Sequence, residues 1–105
     1  MDLSLREMRA ILAASEHGSI SAAAAELRTA QSNLSRIVAA AEARLGHRVF
    51  VRSSRHLTLT AEGELLREAA QRVVALYDSE MRQLDTRLAG AVGPVRPAVL
   101  PSGSA

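Results

Sequence analysis

The feature that most constrains the fold is a stretch of 29 residues, 61–89, which contains no proline and only one glycine, Gly63. At 1.5 Å per residue, this stretch predicts a helix about 43 Å long. A chain of 105 residues makes one small domain with a small core. A helix of this length therefore cannot pack along its whole length on that domain, and part of it needs another partner.

Apolar residues recur along this stretch at steps of three or four, a spacing that places them on one helical face. They are Leu66, Ala70, Val73, Tyr77, Met81, Leu84 and Leu88. A second copy of the same helix is the simplest partner for such a stripe, and we expect a dimer interface there. Packing within the monomer is the alternative interpretation.

The composition favours helix and excludes several functions. Alanine and leucine are strong helix formers and supply most of the apolar residues, while Phe50 and Tyr77 are the only aromatic ones. The chain has no cysteine, which excludes disulfides, thiol catalysis and thiolate metal sites. The apolar runs are too short for a membrane span, and the N-terminus lacks a signal-peptide pattern. We therefore expect a soluble, cytoplasmic protein without a membrane partner.

Three shorter helices precede the long one. They are predicted at residues 4–17, 19–27 and 31–45. Ser4 and Glu7 have the spacing of a capping box at the start of the first helix. Ser19 or Ser21 can cap the second, which is rich in alanine and should pack closely against its neighbours. A connection of three residues, 28–30, then leads to the third.

After Gly46 the pattern changes from helix to strand. Residues 49–51 and 56–59 have strand-forming side chains, and a polar, basic tip lies between them. Such a hairpin is a β-wing. The prediction is a mainly α fold with three parts: a winged helix-turn-helix of three helices and a two-stranded wing at 1–59, a linker and dimerisation helix at 60–89, and a flexible tail at 90–105.

The charge of the chain is unevenly distributed. All thirteen basic residues are arginines, and the net charge is only +2. Residues 28–56, however, contain six arginines and one glutamate, a net charge of +5. A block of this kind is typical of a surface that contacts a polyanion such as DNA. A solvated basic face is the alternative interpretation.

The second and third helices with their short connection are typical of a helix-turn-helix motif, whose second helix enters the major groove. Amides there can pair with adenine, and hydroxyl and guanidinium groups can reach bases or phosphates. The candidate base-contacting residues are Gln31, Ser32, Asn33, Ser35 and Arg36. Contacts to phosphates or the minor groove are expected from Thr29, Arg52, Ser53, Ser54 and Arg55. The alternatives are a merely solvated first turn and a surface ion pair of Arg36 with Glu42 or Glu26.

The order of these elements resembles the N-terminal DNA-binding domain of LysR-type transcriptional regulators. The matching stretches are GSISAAA at 18–24, AQSNLSR at 30–36, EARLG at 42–46, VFVR at 49–52 and LTLTAEG at 57–63. The resemblance implies a bacterial homodimer, joined through its long helices, that binds double-stranded DNA at an interrupted inverted repeat in a promoter. It places DNA-reading residues at Gln31, Ser32, Ser35 and Arg36, and wing contacts at Arg52 and Arg55.

The chain departs from the family pattern at several positions. Ser32 stands where the family usually has proline, and Ile37 and Ala39 replace residues that are usually polar or basic, which should remove contacts to DNA. The resemblance also implies a C-terminal domain that binds a small-molecule inducer. That domain is absent from the chain, so no cofactor is expected in this fragment, and a tetramer is expected at most of the full-length protein.

Two other functions are alternatives to DNA binding. An enzyme would need a cluster of reactive groups, but His17, His47 and His56 are spread over a helix end, a turn and the wing, and no catalytic motif is present. The sequence therefore predicts no enzyme. The second alternative is a LysR-like dimerisation module that sequesters a full-length regulator without binding DNA, an idea supported only by Ile37 and Ala39.

Overall fold

A computed structural model of the chain describes residues 2–53 and 56–92. The elements, in order, are α1 (Leu5–His17), α2 (Ile20–Glu26), α3 (Gln31–Leu45), β1 (Phe50–Arg52), β2 (Leu57–Leu59) and α4 (Ala61–Val92). The predicted winged helix-turn-helix followed by a long helix is confirmed. The described residues divide into two units, one ending at Val74 and one beginning at Ala75.

Helix α1 begins and ends where the sequence predicts. The Ser4 hydroxyl accepts a hydrogen bond from the Glu7 amide at 3.1 Å, and the Glu7 carboxylate accepts one from the Ser4 amide at 2.8 Å. These two bonds are the predicted capping box. At the other end Gly18 has φ 64°, and its amide donates to the Ala14 carbonyl at 2.9 Å. Glycine adopts this left-handed conformation at low cost, so it commonly ends a helix.

The helix-turn-helix differs slightly from the prediction. Ser19, rather than Ser21, caps α2, because its hydroxyl accepts from the Ala22 amide at 3.2 Å. Helix α2 ends at Glu26, so the connection to α3 has four residues, 27–30, instead of the predicted three. Leu27 is the C-cap and has left the helical conformation, which explains the extra residue.

The wing is a two-stranded antiparallel sheet in which Phe50 pairs with Leu59 and Arg52 with Leu57. The strands lie within one residue of their predicted bounds. After β2, the Thr60 hydroxyl donates to the Arg48 carbonyl at 2.6 Å and accepts from the Gly63 amide at 2.9 Å. Thr60 thereby joins the wing to the first turn of α4.

Gly63 allows α4 to pass close to the wing. A Cβ atom built on this glycine would lie 2.2 Å from the Val49 carbonyl oxygen, so any side chain would force α4 and Val49 apart.

At its C-terminal end α4 continues to Val92, three residues beyond the predicted end at 89. Gly90 lies within it, because one glycine weakens a helix by only about 1 kcal/mol. The prediction of a tail was therefore wrong for 90–92, and residues 93–105 lie outside the described residues.

The core of the first unit lies between the first three helices and the wing. Its members are Ala10, Ile11, Ala13, Ala14, Ala23, Ala24, Leu34, Val38, Ala41, Val49, Phe50 and Leu57. Half of them are alanines, which let the three helices approach closely, as predicted for α2. Phe50 is the largest fully buried side chain and brings the wing into this core. Helix α3 and the wing are thus held by one set of contacts.

Candidate nucleic-acid interface

Helix α3 presents a polar face opposite its buried side. Leu34, Val38 and Ala41 are buried against the core. On the other side, Gln31, Ser32 and Arg36 are exposed, while Ser35 and Asn33 are half-buried. The predicted base-contacting residues therefore lie at or near the surface of one helix, mostly in its first two turns.

Two carboxylates fix the position of α3 in the first unit. Glu7 on α1 is only 8% exposed, and both its oxygens bind the guanidinium of Arg44 on α3, one of them at 3.0 Å. Glu42, on the side towards the wing, accepts from the amides of Val49 at 2.8 Å and Phe50 at 3.2 Å. One end of α3 is thus tied to α1 and to the wing.

Arg36 has no acidic partner among the described residues. Its guanidinium donates to the Asn33 side-chain oxygen at 3.3 Å. Glu42 is occupied by the wing amides and by Arg48 at 3.7 Å, and Glu26 pairs with His17 at the end of α1. The alternative of an ion pair with Glu42 or Glu26 is therefore not found, and the charge of Arg36 remains on the surface.

Asn33 is engaged at both ends of its amide. Its nitrogen donates to the Thr29 hydroxyl at 2.7 Å, and its oxygen accepts from Arg36. Pairing with adenine needs both groups of the amide. That Asn33 contacts a base stays a prediction, but the geometry gives it another task, which is to hold Arg36 next to the turn between α2 and α3.

Gln31 and the wing present their polar groups to solvent. The Gln31 amide nitrogen donates to the Ser21 hydroxyl at 3.2 Å, and both side chains are exposed. On the wing, Arg52 and Ser53 are exposed, and the Ser53 amide donates to the His56 carbonyl at 2.9 Å. The predicted contacts Ser54 and Arg55 lie outside the described residues.

The three histidines lie on different elements in the described part of the chain. His17 contacts Glu26, whereas His47 and His56 lie on the segment before β1 and on the wing. Residues 2–53 and 56–92 contain no group of histidine, aspartate and glutamate suited to a metal ion. In the same ranges, no helix has the length and hydropathy needed to cross a membrane.

The predicted apolar stripe behaves differently in the two units. In the first unit, Leu66 packs against the core and Ala70 is buried, whereas Val73 is exposed. In the second unit, the exposed large apolar residues are Leu76, Tyr77, Met81, Leu84 and Leu88. Leu66 and Ala70 are thus packed within the first unit, whereas the large apolar residues of the stripe after Val74 are exposed.

Sequence reasoning missed the contacts that orient this surface. The bonds from Glu42 to the wing amides and from Glu7 to Arg44 were not predicted. One signal was available, because Glu42 is the only acid in the basic block 28–56 and a lone carboxylate there calls for an explanation. No comparable signal pointed to Glu7, whose partner lies 37 residues away.

An exposed polar helix in a helix-turn-helix, a wing and a long helix define a winged helix-turn-helix protein. The family model for the bacterial regulatory helix-turn-helix proteins of the lysR family matches residues 5–64. The chain therefore belongs to the LysR family, as the sequence motifs predict.

Individual relatives agree with this assignment. The HTH-type transcriptional regulator PtxR of Pseudomonas aeruginosa is 38% identical over 91 residues, which are 84% of this chain and 29% of PtxR. The HTH-type transcriptional regulator MetR of Escherichia coli K12 is 39% identical over 72 residues, 69% of this chain and 23% of MetR. The chain thus spans less than a third of the length of these relatives.

Solved structures show the same fold. The crystal structure of the CbnR_DBD-DNA complex is similar to this chain with a TM-score of 0.73 and 34% identity, covering 85% of this chain and 99% of that one. The structure of the BenM_DBD/catB site 1 DNA complex is similar to this chain with a TM-score of 0.76 and 32% identity, covering 83% of this chain and 97% of that one.

Proposed function

We propose that this chain binds double-stranded DNA in a sequence-specific way and serves a LysR-type transcriptional regulator. The observation that carries the proposal is the exposed face of α3, where Gln31, Ser32 and Arg36 are exposed and Arg36 has no acidic partner among residues 2–53 and 56–92. A helix fits the major groove, and its first turns then reach base edges. The similar CbnR and BenM domains were solved with DNA, which supports the same partner here.

Each group on this face has a distinct task. The Gln31 amide can pair with the N6 and N7 atoms of adenine, and the Arg36 guanidinium can reach guanine or a phosphate. The hydroxyls of Ser32 and Ser35 donate to bases or phosphates. Asn33 holds Arg36 from the side, so the guanidinium loses less freedom when it binds.

The wing supplies contacts of a second kind. Arg52 is exposed at the end of β1, and an arginine at this position can contact the backbone or enter the minor groove. Glu42 holds the wing against α3, so the DNA contacts of the wing and those of α3 keep a fixed distance from each other. Ser54 and Arg55 stay predicted contacts on the same tip.

We further propose that the chain forms a homodimer through α4. After Val74, large apolar side chains are exposed at the spacing of one helical stripe, among them Tyr77, Met81, Leu84 and Leu88. Two-fold pairing of this stripe presents two copies of α3 to DNA, which suits an interrupted inverted repeat. A tetramer of a longer protein and control by a small-molecule inducer stay predictions from the family resemblance. The cytoplasm, which holds the bacterial chromosome, is the expected location.

The sequestration alternative is less well supported. It needs a dimer whose α3 does not meet DNA, but the polar face of α3 is exposed and carries Gln31, Ser35 and Arg36 as in the family motif. Ile37 is half-buried and Ala39 exposed, so Ala39 removes one polar contact at most from the outer face.

Selection of bound duplexes from a random pool tests the proposal. We expect enrichment of two related half-sites in inverted orientation. Titration of labelled duplex at several salt concentrations should show affinity that falls steeply as salt rises, because bound phosphates release counterions. Binding that is absent, or flat with salt and without an enriched sequence, would overturn DNA binding and favour sequestration.

A further inference from the structure

A cleft of about 290 Å³ opens on the flank of α3, between this helix, α1 and the turn that precedes α3. Its floor is apolar and includes Leu34 and Ile37. Its polar lining consists of three arginines, Arg6, Arg9 and Arg28, together with Thr29 and Asn33. None of the described residues that line it is acidic.

Three guanidinium groups around one cleft repel each other unless an anion lies between them. Glu7, the nearest acid along α1, is occupied by Arg44. Arg9 already takes part in an interaction within the protein. Arg6 and Arg28 are therefore the two arginines that we expect to bind an anion in the cleft. Both are exposed and can converge on a ligand at the mouth of the cleft.

Arg28 adopts a backbone conformation that arginine disfavours. Its φ is 56°, and among the described residues it is the only non-glycine residue with a positive φ. Glycine or asparagine would take this left-handed conformation more readily. A strained backbone at a residue with a charged side chain points to a function of that side chain.

The hydroxyl of Thr29 adds a donor to the cleft. Its oxygen accepts from the Asn33 amide at 2.7 Å, so its own hydrogen is left to donate to a ligand. The other end of the Asn33 amide holds Arg36. The cleft is therefore connected by two hydrogen bonds to the face that we propose reads DNA.

The position of the cleft indicates which anion it takes. A helix with its side chains is about 10–12 Å across and fills a major groove about 12 Å wide, so its flanks face the two rows of phosphates. We infer that the cleft formed by Arg6, Arg28 and Thr29 receives one backbone phosphate of the DNA in which α3 lies. This inference rests on the proposed function. The bound phosphate would set how deeply α3 enters the groove.

Salt titration of a double variant tests the inference. Arg6→Gln combined with Arg28→Asn removes both charges, and asparagine tolerates the left-handed turn. Loss of one phosphate contact should lower the slope of log affinity against log salt by about 0.9. Between 50 and 200 mM salt, the variant should then lose about 3.5-fold less affinity than the wild type. Arg28→Lys, which keeps the charge, should retain the wild-type slope.

Arg72→Gln combined with Arg82→Gln is the matched control, because both arginines are exposed on α4 and their loss also removes two positive charges. Its slope should equal that of the wild type. If Arg28→Asn unfolds the domain, as judged by circular dichroism, Arg28→Gly removes the same charge without strain. A double variant that folds and keeps the wild-type slope would overturn the inference, whereas the proposed function would stand.

A second measurement separates DNA from a free anion. Thermal unfolding is followed in inorganic phosphate and in chloride at equal ionic strength. We expect phosphate to shift the midpoints of the wild type and of the double variant equally, because a single free phosphate lacks the rest of the duplex. Stabilisation of the wild type alone, with unchanged salt slopes, would make the cleft a small-anion site and overturn the assignment to DNA. A wild type that binds no duplex would remove the proposed function, and this inference with it.

Discussion

Helix α3 and residues 75–92 of α4 are both amphipathic helices, but the apolar face is buried in the first and exposed in the second. On α3 the apolar residues Leu34 and Val38 are buried, and the polar face is left to solvent. In residues 75–92 the large apolar residues themselves are exposed. One periodic pattern thus has two outcomes, a stripe buried within the first unit and a stripe left exposed.

The difference has an energetic consequence. Isolated helices of fewer than about 12–15 residues are marginal in water, and longer ones gain most of their stability from packing. In residues 75–92, large apolar side chains such as Met81 and Leu84 are exposed, and Gln83 donates to Ser79 one turn away at 3.3 Å. This part of α4 should therefore gain stability when a second copy covers it, whereas α3 should not.

The same substitution in both regions gives the largest expected contrast. Leu34 is 0% exposed and Leu88 is 51% exposed. Leu34→Ala should lower the free energy of unfolding by about 2–5 kcal/mol, because it leaves a cavity in the core. Leu88→Ala, measured by denaturant titration at a concentration where the protein is monomeric, should change it by less than about 0.5 kcal/mol. Equal losses would show that residues 75–92 pack within one chain.

The attachment of the wing to α3 is the next test. Glu42→Leu leaves the amides of Val49 and Phe50 without their acceptor and should cost about 2–4 kcal/mol, or about 1–2 kcal/mol for each amide. Glu42→Gln retains one side-chain oxygen and is the matched control, with a smaller expected loss. Chemical denaturation measures both. A Glu42→Leu protein as stable as Glu42→Gln would mean that solvent replaces the carboxylate.

A charge in the stripe should weaken the proposed dimer. Met81→Glu buries a carboxylate from each copy in an apolar interface, so the dissociation constant should rise about 100-fold, or about 2.7 kcal/mol. Gln83→Glu adds the same charge at an exposed residue outside the predicted stripe and should leave association unchanged. Sedimentation or light scattering over a range of concentrations measures this. An unchanged mass for Met81→Glu would contradict the interface.

Local signals made α3, α1 and the wing predictable from sequence. The capping box of Ser4 and Glu7 involves residues three apart, and the buried stripe of α3 follows from helical spacing. The contact between Glu7 and Arg44 spans 37 residues and leaves no periodic trace, because it depends on how α1 and α3 pack. The sequence was sufficient to predict which residues share the polar face of α3. It did not predict the hydrogen bond between Asn33 and Thr29, because the rotamers of both side chains determine it.

The smallest expected effect is that of Gln31, on the polar face of α3, on the choice of one base pair. Gln31→Ala should cost about 1–3 kcal/mol of binding to the selected site and relax the choice of base at one position. It should not change protein stability, because Gln31 is exposed. Ser21→Ala is the control, since it removes the hydrogen bond to the Gln31 amide but keeps the amide itself. If Ser21→Ala relaxed the same base pair as strongly, Gln31 would act only when held by α2, and the reading unit would be both helices rather than α3 alone.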